Sequence, residues 1–242
     1  MLIRRSALSR LIEAAIGPEE AAESGIAIFT HDTGDTTNVV AYDVAKVIDA
    51  CLTGIEEQGD DPLDAVEKNG TSGIVGLVSM HPAAGWEGKC YGSYVINNTV
   101  ARKGYGPMIY DLALALGKPV VPDRKSVSKH AQKVWLKYMD GDDVEKFPLD
   151  DKDAPKTKDK NDDCLLNPAA PGLDFAYFKS GSKKYSPMFD KDKKALSEYN
   201  RLLKTRKMKS ISEDDWHESL TMSAADYFTI RYSKDVIYAD DK

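Results

Sequence analysis

The chain has 242 residues, a formal net charge of −6, 42% hydrophobic residues and 30% charged residues. This length allows a sizeable core, and the composition is typical of one globular domain with extensions. The negative charge argues against general nucleic-acid affinity, and no apolar run approaches the roughly 18 residues that a membrane helix requires. We therefore expect neither nucleic-acid nor membrane partners.

The first third of the chain alternates between helical and strand patterns. Residues 6–16 have the amphipathic pattern of a peripheral helix, which Gly17 and Pro18 end. Residues 25–30 predict a first strand. Residues 42–56 carry the clearest helical pattern, with an apolar residue every three or four positions: Val44, Val47, Ile48, Cys51, Leu52 and Ile55. The polar residues from Gly54 to Gly70 predict a loop.

The central third combines strands, a glycine loop and a helix. Residues 73–81 and 91–100 predict two neighbouring antiparallel strands. Gly104 and Gly106 permit a tight turn, and Pro107 is typical of a first helical turn. Since a helix that begins after such a loop presents unpaired N–H groups to an anion, the pattern is compatible with a phosphate site. On these residues alone an ordinary strand-to-helix connection is the favoured interpretation, because the loop has neither the P-loop ending nor the three glycines of a dinucleotide fingerprint.

The last third of the chain contains further helix and strand patterns, an acidic segment and then a basic segment. Residues 119–122 predict a short strand, residues 127–139 a helix and residues 173–178 a further strand. Residues 140–163 contain ten acidic and five basic residues, which predicts a solvated linker. Its aspartate pairs could bind a divalent cation, but they do not follow the EF-hand spacing, and we expect no metal.

Residues 178–210 contain eleven basic and three acidic residues around an amphipathic helix at residues 195–203. This helix could pair with the acidic segment within one molecule. We expect instead a head-to-tail contact between molecules, with Leu196, Tyr199 and Leu203 at its centre. Ser212 begins a capping-box pattern, so another helix should follow it, and the last residues predict a strand or an arm.

The sequence from Ala101 to Gly106, Ala-Arg-Lys-Gly-Tyr-Gly, resembles the acetyl-CoA loop of the GNAT N-acetyltransferases, Arg/Gln-x-x-Gly-x-Gly/Ala. Ala131 and Trp135 fall where that superfamily has Asn-x-x-Ala-x-x-x-Tyr. Residues 73–140 are similar, more narrowly, to GNAT-like proteins encoded by bacteriophages. The resemblance implies an α/β fold, with a mixed, mostly antiparallel sheet flanked by helices.

The same resemblance implies which residues would hold each part of a bound cofactor. Acetyl-CoA would be the cofactor, its thioester carbonyl and pantetheine held by main-chain groups of Val95 and Ile96. The main-chain amides from Arg102 through Lys103, Gly104 and Tyr105 to Gly106 would hold the pyrophosphate. Ala101 replaces the first residue of the motif, which this binding by main-chain groups tolerates.

The sequence indicates the general base and the general acid of such a reaction less clearly than the cofactor loop. His81, at the end of a strand, has a suitable ordinary pKa for a general base, and Glu87 and Asp123 are alternatives. Trp135 stands where a tyrosine often acts as the general acid, so Tyr138 or Tyr110 would have to donate the proton. A histidine at a strand end is more often structural.

These patterns predict a peripheral helix over residues 1–19, a GNAT-like domain over residues 20–180 and a helical extension over residues 181–242. The leading functional prediction is a phage-type N-acetyltransferase that acts on an unidentified amine. The alternative is a catalytically degenerate virion or assembly component, with itself or virion proteins as partners. A host-interacting protein that uses the basic segment is a third candidate. Three widely spaced cysteines and no secretory signal pattern suggest a reducing host cytoplasm, with a virion location as the alternative.

Overall fold

A mixed β-sheet forms the centre of the computed structural model, which describes residues 16–83, 90–122, 127, 129–151, 156–165 and 172–232. Its seven strands are β1 Ile26–Asp32, β2 Thr37–Asp43, β3 Ile74–Pro82, β4 Tyr94–Ala101, β5 Val120–Val121, β6 Glu145–Pro148 and β9 Phe175–Phe178. Their order is β1-β2-β3-β4-β5-β9-β6. Only β4 and β5 run parallel, and every other neighbouring pair is antiparallel. The short strands β7 Asp150–Asp151 and β8 Asp163–Leu165 form a separate parallel pair.

The α-helices of the described residues lie before, between and after these strands in the chain. They are α1 Pro18–Glu23, α2 Val44–Thr53, α3 Pro62–Asn69, α4 Gly106–Leu114, α5 Lys129–Asp140, α6 Ser186–Thr205 and α7 Glu213–Tyr232. The described part of the chain is therefore an α/β protein with a mostly antiparallel sheet. None of its helices is long and apolar enough to cross a membrane.

Apolar residues cover both faces of the sheet because successive strand residues point to opposite sides. In β1, Ile26 and Ile28 join a core cluster that includes residues of α1, α4 and α5. Ala27 and Phe29 join a second cluster with residues of α2, α3, α6 and α7. Since α6 and α7 supply fully buried side chains to this second cluster, they pack directly on the sheet. The expected domain boundary at residue 180 stays a prediction.

Several predicted elements are confirmed. The helix over residues 42–56 is α2, continued by a π-helical turn Gly54–Gln58, and Val47 and Cys51 are its buried side chains. The strands expected at residues 73–81 and 91–100 are β3 and β4. Ser212 caps α7 as expected, because its hydroxyl accepts a hydrogen bond from the Asp215 amide at 3.1 Å.

Other predictions were wrong in places where the local pattern was weak. The expected polar loop at residues 54–70 contains a π-helical turn and α3, which Asp61 caps by accepting from the Leu63 amide. Strand β2 was not anticipated, although five consecutive residues of it are buried. Residues 227–232, the first part of the stretch expected to form a strand or an arm, belong to α7, and the rest of that stretch lies outside the described residues. The helix expected at residues 6–16 lies almost wholly outside the described residues.

The acidic segment, residues 140–163, is not a solvated linker throughout. It contributes β6 to the large sheet and the pair β7 and β8 beside it. Val144, Leu149, Asp150 and Asp162 are buried within it. Composition alone missed this arrangement, because a few buried residues among many charges are enough to fix a segment against a sheet.

The helix proposed to anchor an intermolecular contact belongs to the molecule's own core. Tyr199 and Leu203 of α6 have no exposed surface, and the Tyr199 hydroxyl donates to the Pro62 carbonyl at 3.0 Å. They cannot form the centre of a contact with another copy unless the core opens. The expectation of a head-to-tail contact through these side chains was therefore wrong.

The cysteines also differ from the expectation of reduced thiols. Cys51 is free and buried in the core, whereas Cys90 is disulfide-bonded. The side chain of Cys164 lies outside the described residues.

Candidate functional site

The most unusual backbone feature is the short contact between β4 and its parallel neighbour β5. The two strands pair only at Tyr94 with Val120 and Val95 with Val121. Strand β4 then continues to Ala101, while β5 ends at Val121. One edge of β4 therefore loses its pairing with β5 beyond Val95. Ile96 is the first residue past this point, so the two residues predicted to hold the thioester lie where the strands separate.

A β-bulge lies in β4 just beyond the point where β4 and β5 separate. Ser79 of β3 is opposite Asn98, but Met80 is opposite Ile96, so Asn97 is an extra residue in β4. A bulge of this kind bends the strand and increases its twist. The bend occurs one residue beyond Ile96, where β4 is no longer paired with β5.

The glycine loop follows directly at the end of β4. The Arg102 amide donates to the Val75 carbonyl at 2.8 Å, and the Tyr105 amide donates to the Arg102 carbonyl at 3.0 Å. Gly104 has a φ of +94°, which residues with a side chain rarely adopt. A Cβ added at Gly106 would meet no described residue within 4 Å, so the described part of the chain leaves open space beside it.

Helix α4 begins at Gly106 with no side-chain cap from Tyr105. Its first turn therefore presents N–H groups that no side-chain cap satisfies, together with the positive end of the helix dipole, to the open space. The helix lies very close to the sheet, because a Cβ at Gly76 of β3 would fall 2.7 Å from Cγ1 of Ile109. This close packing fixes the direction of α4 and hence of its N-terminal amides.

The two basic side chains of the loop have different surroundings. The Arg102 guanidinium donates to the Ser72 carbonyl at 2.6 Å and lies over the Tyr227 ring of α7 at 5.3 Å. It therefore fastens the loop to the rest of the protein. The Lys103 side chain is exposed and can approach an anion at the loop.

We call the stretch of β4 beyond Val95, which β5 does not pair with, the gap between β4 and β5. The candidate base lies at the end of this gap that is farther from the glycine loop. His81 of β3 is paired with Val95 of β4, so the two side chains project from the same face of the sheet. Val95 and the end of β4 are separated by six residues, or about 20 Å of strand. The structure thus places His81 beside the predicted thioester end and the glycine loop at the predicted pyrophosphate end.

The candidate acid is enclosed in the core. Tyr138 of α5 donates its hydroxyl to Asp111 Oδ1 at 2.8 Å, and Lys179 Nζ donates to Asp111 Oδ2 at 3.0 Å. Burial, and then the charge of Asp111, raises the pKa of Tyr138 well above its usual value. Trp135 is also core, stacked on Tyr177 with a centroid distance of 5.2 Å. The alternative bases Glu87 and Asp123 lie outside the described residues.

Sequence reasoning identified the loop but not the gap that leads to it. The loop has a local signal in its glycines, whereas the gap depends on where β5 stops and where β4 bulges. Comparison of the chain with protein-family models, with curated proteins and with solved structures finds no match.

Proposed function

We propose that the chain binds acetyl-CoA along β4 and transfers the acetyl group to an amine, as the GNAT N-acetyltransferases do. The observation that carries the proposal is the parting of the parallel strands β4 and β5 after Val95, on a strand that leads into an uncapped helix through a glycine loop. A main-chain edge that no strand of the described residues pairs with can bind the amides of the pantetheine arm. The amides of Arg102 and Tyr105 already donate within the protein. The amides that suit the pyrophosphate are therefore those of Lys103, Gly104 and Gly106, the last at the start of α4.

The proposed reaction uses no protein nucleophile. The substrate amine attacks the thioester carbonyl, the C–S bond breaks, and the acetyl group becomes an amide. One proton leaves the amine and one is taken up by the CoA thiolate. His81 would accept the amine proton, since its strand partner Val95 lies at the proposed thioester end. The Tyr94 amide donates to the Pro119 carbonyl beside β5, so the next amide on that edge of β4 is that of Ile96, and the Val95 amide faces β3. The main-chain N–H of Ile96 would therefore stabilise the developing oxyanion.

Calorimetric titration of CoA and acetyl-CoA tests the binding part of this proposal. The Gly106→Glu variant should keep its fold, because an acidic residue is favourable in a first helical turn. It should weaken binding by at least about tenfold, since the new carboxylate occupies the open space and repels the pyrophosphate.

Gly106→Ala is the matched control. Its Cβ meets no described residue within 4 Å, and the resembling motif accepts Ala at this position, so its affinity should stay close to that of the wild type. Absence of CoA binding by the wild-type chain, or equal affinity in the Glu variant, would refute the proposal.

A second candidate is a GNAT-fold virion or assembly component that no longer catalyses transfer. It is favoured by Trp135 and Tyr138, because the first is core and the hydroxyl of the second is held by Asp111. Such a protein would release no free CoA thiol from acetyl-CoA with any of a panel of amines. An active enzyme would release thiol with at least one amine, and His81→Ala would slow that release.

A further inference from the structure

Three aspartates of the acidic segment converge beside the pair β7 and β8. Asp150 begins β7, Asp162 immediately precedes β8 and Asp163 begins it. Each offers a carboxylate oxygen within 4.8 Å of those of the other two. Asp150 and Asp162 are only 7% and 6% exposed. Three carboxylates are thus held together, and two of them are largely removed from water.

Two of the oxygens have no hydrogen-bond partner among the described residues. They are Oδ1 of Asp162 and Oδ1 of Asp163, and both atoms are buried. The other oxygen of Asp162 accepts from the Thr157 hydroxyl at 2.9 Å. Neither aspartate forms an ion pair with a basic side chain in the described part of the chain. A buried carboxylate oxygen without a donor or a positive charge is unfavourable, so this arrangement lacks a component.

The loop that carries Asp162 is nevertheless well anchored. The Asp150 amide donates to the Asp162 carbonyl at 2.7 Å, and the Tyr91 amide donates to the Asn161 carbonyl at 3.0 Å. Asp150 Oδ2 accepts from the Thr157 amide at 2.7 Å. The carboxylates therefore cannot separate freely to relieve their repulsion.

A second group of comparable spacing provides a contrast. Asp192, Glu213 and His217 also place their ligand atoms within 4.8 Å of one another. Here both oxygens of Asp192 are satisfied, by the Tyr42 hydroxyl at 2.7 Å and by His217 Nε2 at 2.8 Å. The buried carboxylate of that group therefore already has hydrogen-bond donors for both its oxygens, unlike that of Asp162.

We propose that Asp150, Asp162 and Asp163 bind one hard divalent cation, Ca²⁺ or Mg²⁺. An all-oxygen donor set without His or Cys selects this class of ion. The cation neutralises two of the three carboxylate charges and gives the buried Oδ1 atoms of Asp162 and Asp163 a partner. It also fixes the loop at residues 156–163 to β7 and, through Asn161 and Tyr91, to the turn that precedes β4. Water completes its coordination.

The test uses the full chain freed of metal with a chelator and then dialysed. CaCl₂ and MgCl₂ are titrated separately in a calorimeter, and thermal unfolding is recorded with and without each ion. We expect one ion per chain and a rise in the unfolding temperature of roughly several degrees at saturation. The ratio of the two affinities identifies the preferred ion.

Asp162→Asn is the diagnostic variant, because its amide oxygen can still accept from Thr157. Without metal it should unfold at the same temperature as the wild type or higher, since one repelling charge is gone. Its affinity for the ion should fall by at least about tenfold. A residue that merely stabilises the fold would lower the unfolding temperature when it is replaced in the metal-free chain. An ion ligand instead leaves that temperature unchanged or raises it, and its replacement weakens binding of the ion.

Asp163→Asn should behave like Asp162→Asn, and Asp142→Asn is the matched control. Asp142 is an exposed aspartate of the same acidic segment, so its variant removes the same charge outside the cluster and should bind the ion like the wild type. No binding by the wild-type chain, or an equal loss of affinity in Asp142→Asn, would overturn the proposal.

Discussion

At the scale of single residues, the candidate acid and base differ in how the fold holds them. His81 lies at the end of β3, partly buried and opposite Val95. Tyr138 is 3% exposed, and its proton is already donated to Asp111. Because a general acid works best with a pKa near the working pH, the raised pKa of Tyr138 counts against that role. Its catalytic role stays a prediction.

Cys51 provides a direct test of the core at this scale. Its thiol is fully buried, and burial raises its pKa to about 12. At pH 8 the neutral thiol is then favoured over the thiolate by about 10⁴. We expect native Cys51 to resist iodoacetamide at pH 8 and to react rapidly in guanidinium chloride, as measured by peptide mapping of the alkylated chain. Equal labelling in both states would contradict its placement.

The same thiol affects stability at alkaline pH. A raised pKa means that the native chain holds this proton more tightly than the unfolded chain does. The contribution is fully present below the ordinary thiol pKa of about 8.5 and is lost as pH rises toward about 12. In urea titrations over this range, a Cys51→Ala variant should therefore lose stability with pH less steeply than the wild type.

At the scale of elements, α2 shows how a helical pattern becomes packing. Val47 is fully buried against the sheet, where a Cβ at Gly73 would fall 2.4 Å from its Cγ2. We expect Val47→Asp to lower the free energy of unfolding by about 3–5 kcal/mol, because the carboxylate would be buried without a partner. Urea unfolding followed by circular dichroism measures this change.

Ala45→Asp is the control for that experiment, since Ala45 is exposed in the first turn of the same helix. An acidic residue there is favourable, so the change should stay within about 0.5 kcal/mol. If the Val47→Asp variant were as stable as the Ala45→Asp variant, the assignment of Val47 to the buried face of α2 would be wrong.

Elements with a strong local pattern were predictable, and those that depend on tertiary partners were not. Helix α2 has an uninterrupted apolar stripe, and α7 begins at a capping box. Strand β2 was missed because both its faces are buried, which removes the alternation typical of a half-exposed strand. Strands β7 and β8 were missed because they are too short to carry a pattern of their own.

At the scale of the whole molecule, the sheet joins two candidate sites that the sequence did not connect. Strand β4 starts near the turn that Tyr91 fastens to the aspartate loop and ends at the glycine loop. The glycine loop could be predicted from its own residues. The gap between β4 and β5 and the grouping of Asp150 with Asp162 could not, because both depend on where distant segments meet in the fold.

The central claim is that CoA lies along β4 from Val95 to the glycine loop. Amide hydrogen exchange, followed by mass spectrometry with and without saturating CoA, tests it most directly. We expect slower exchange in peptides that cover residues 95–108, and no such change in the Gly106→Glu variant. Unchanged exchange across residues 95–108 in the wild-type chain with CoA bound, or slower exchange only elsewhere, would contradict it.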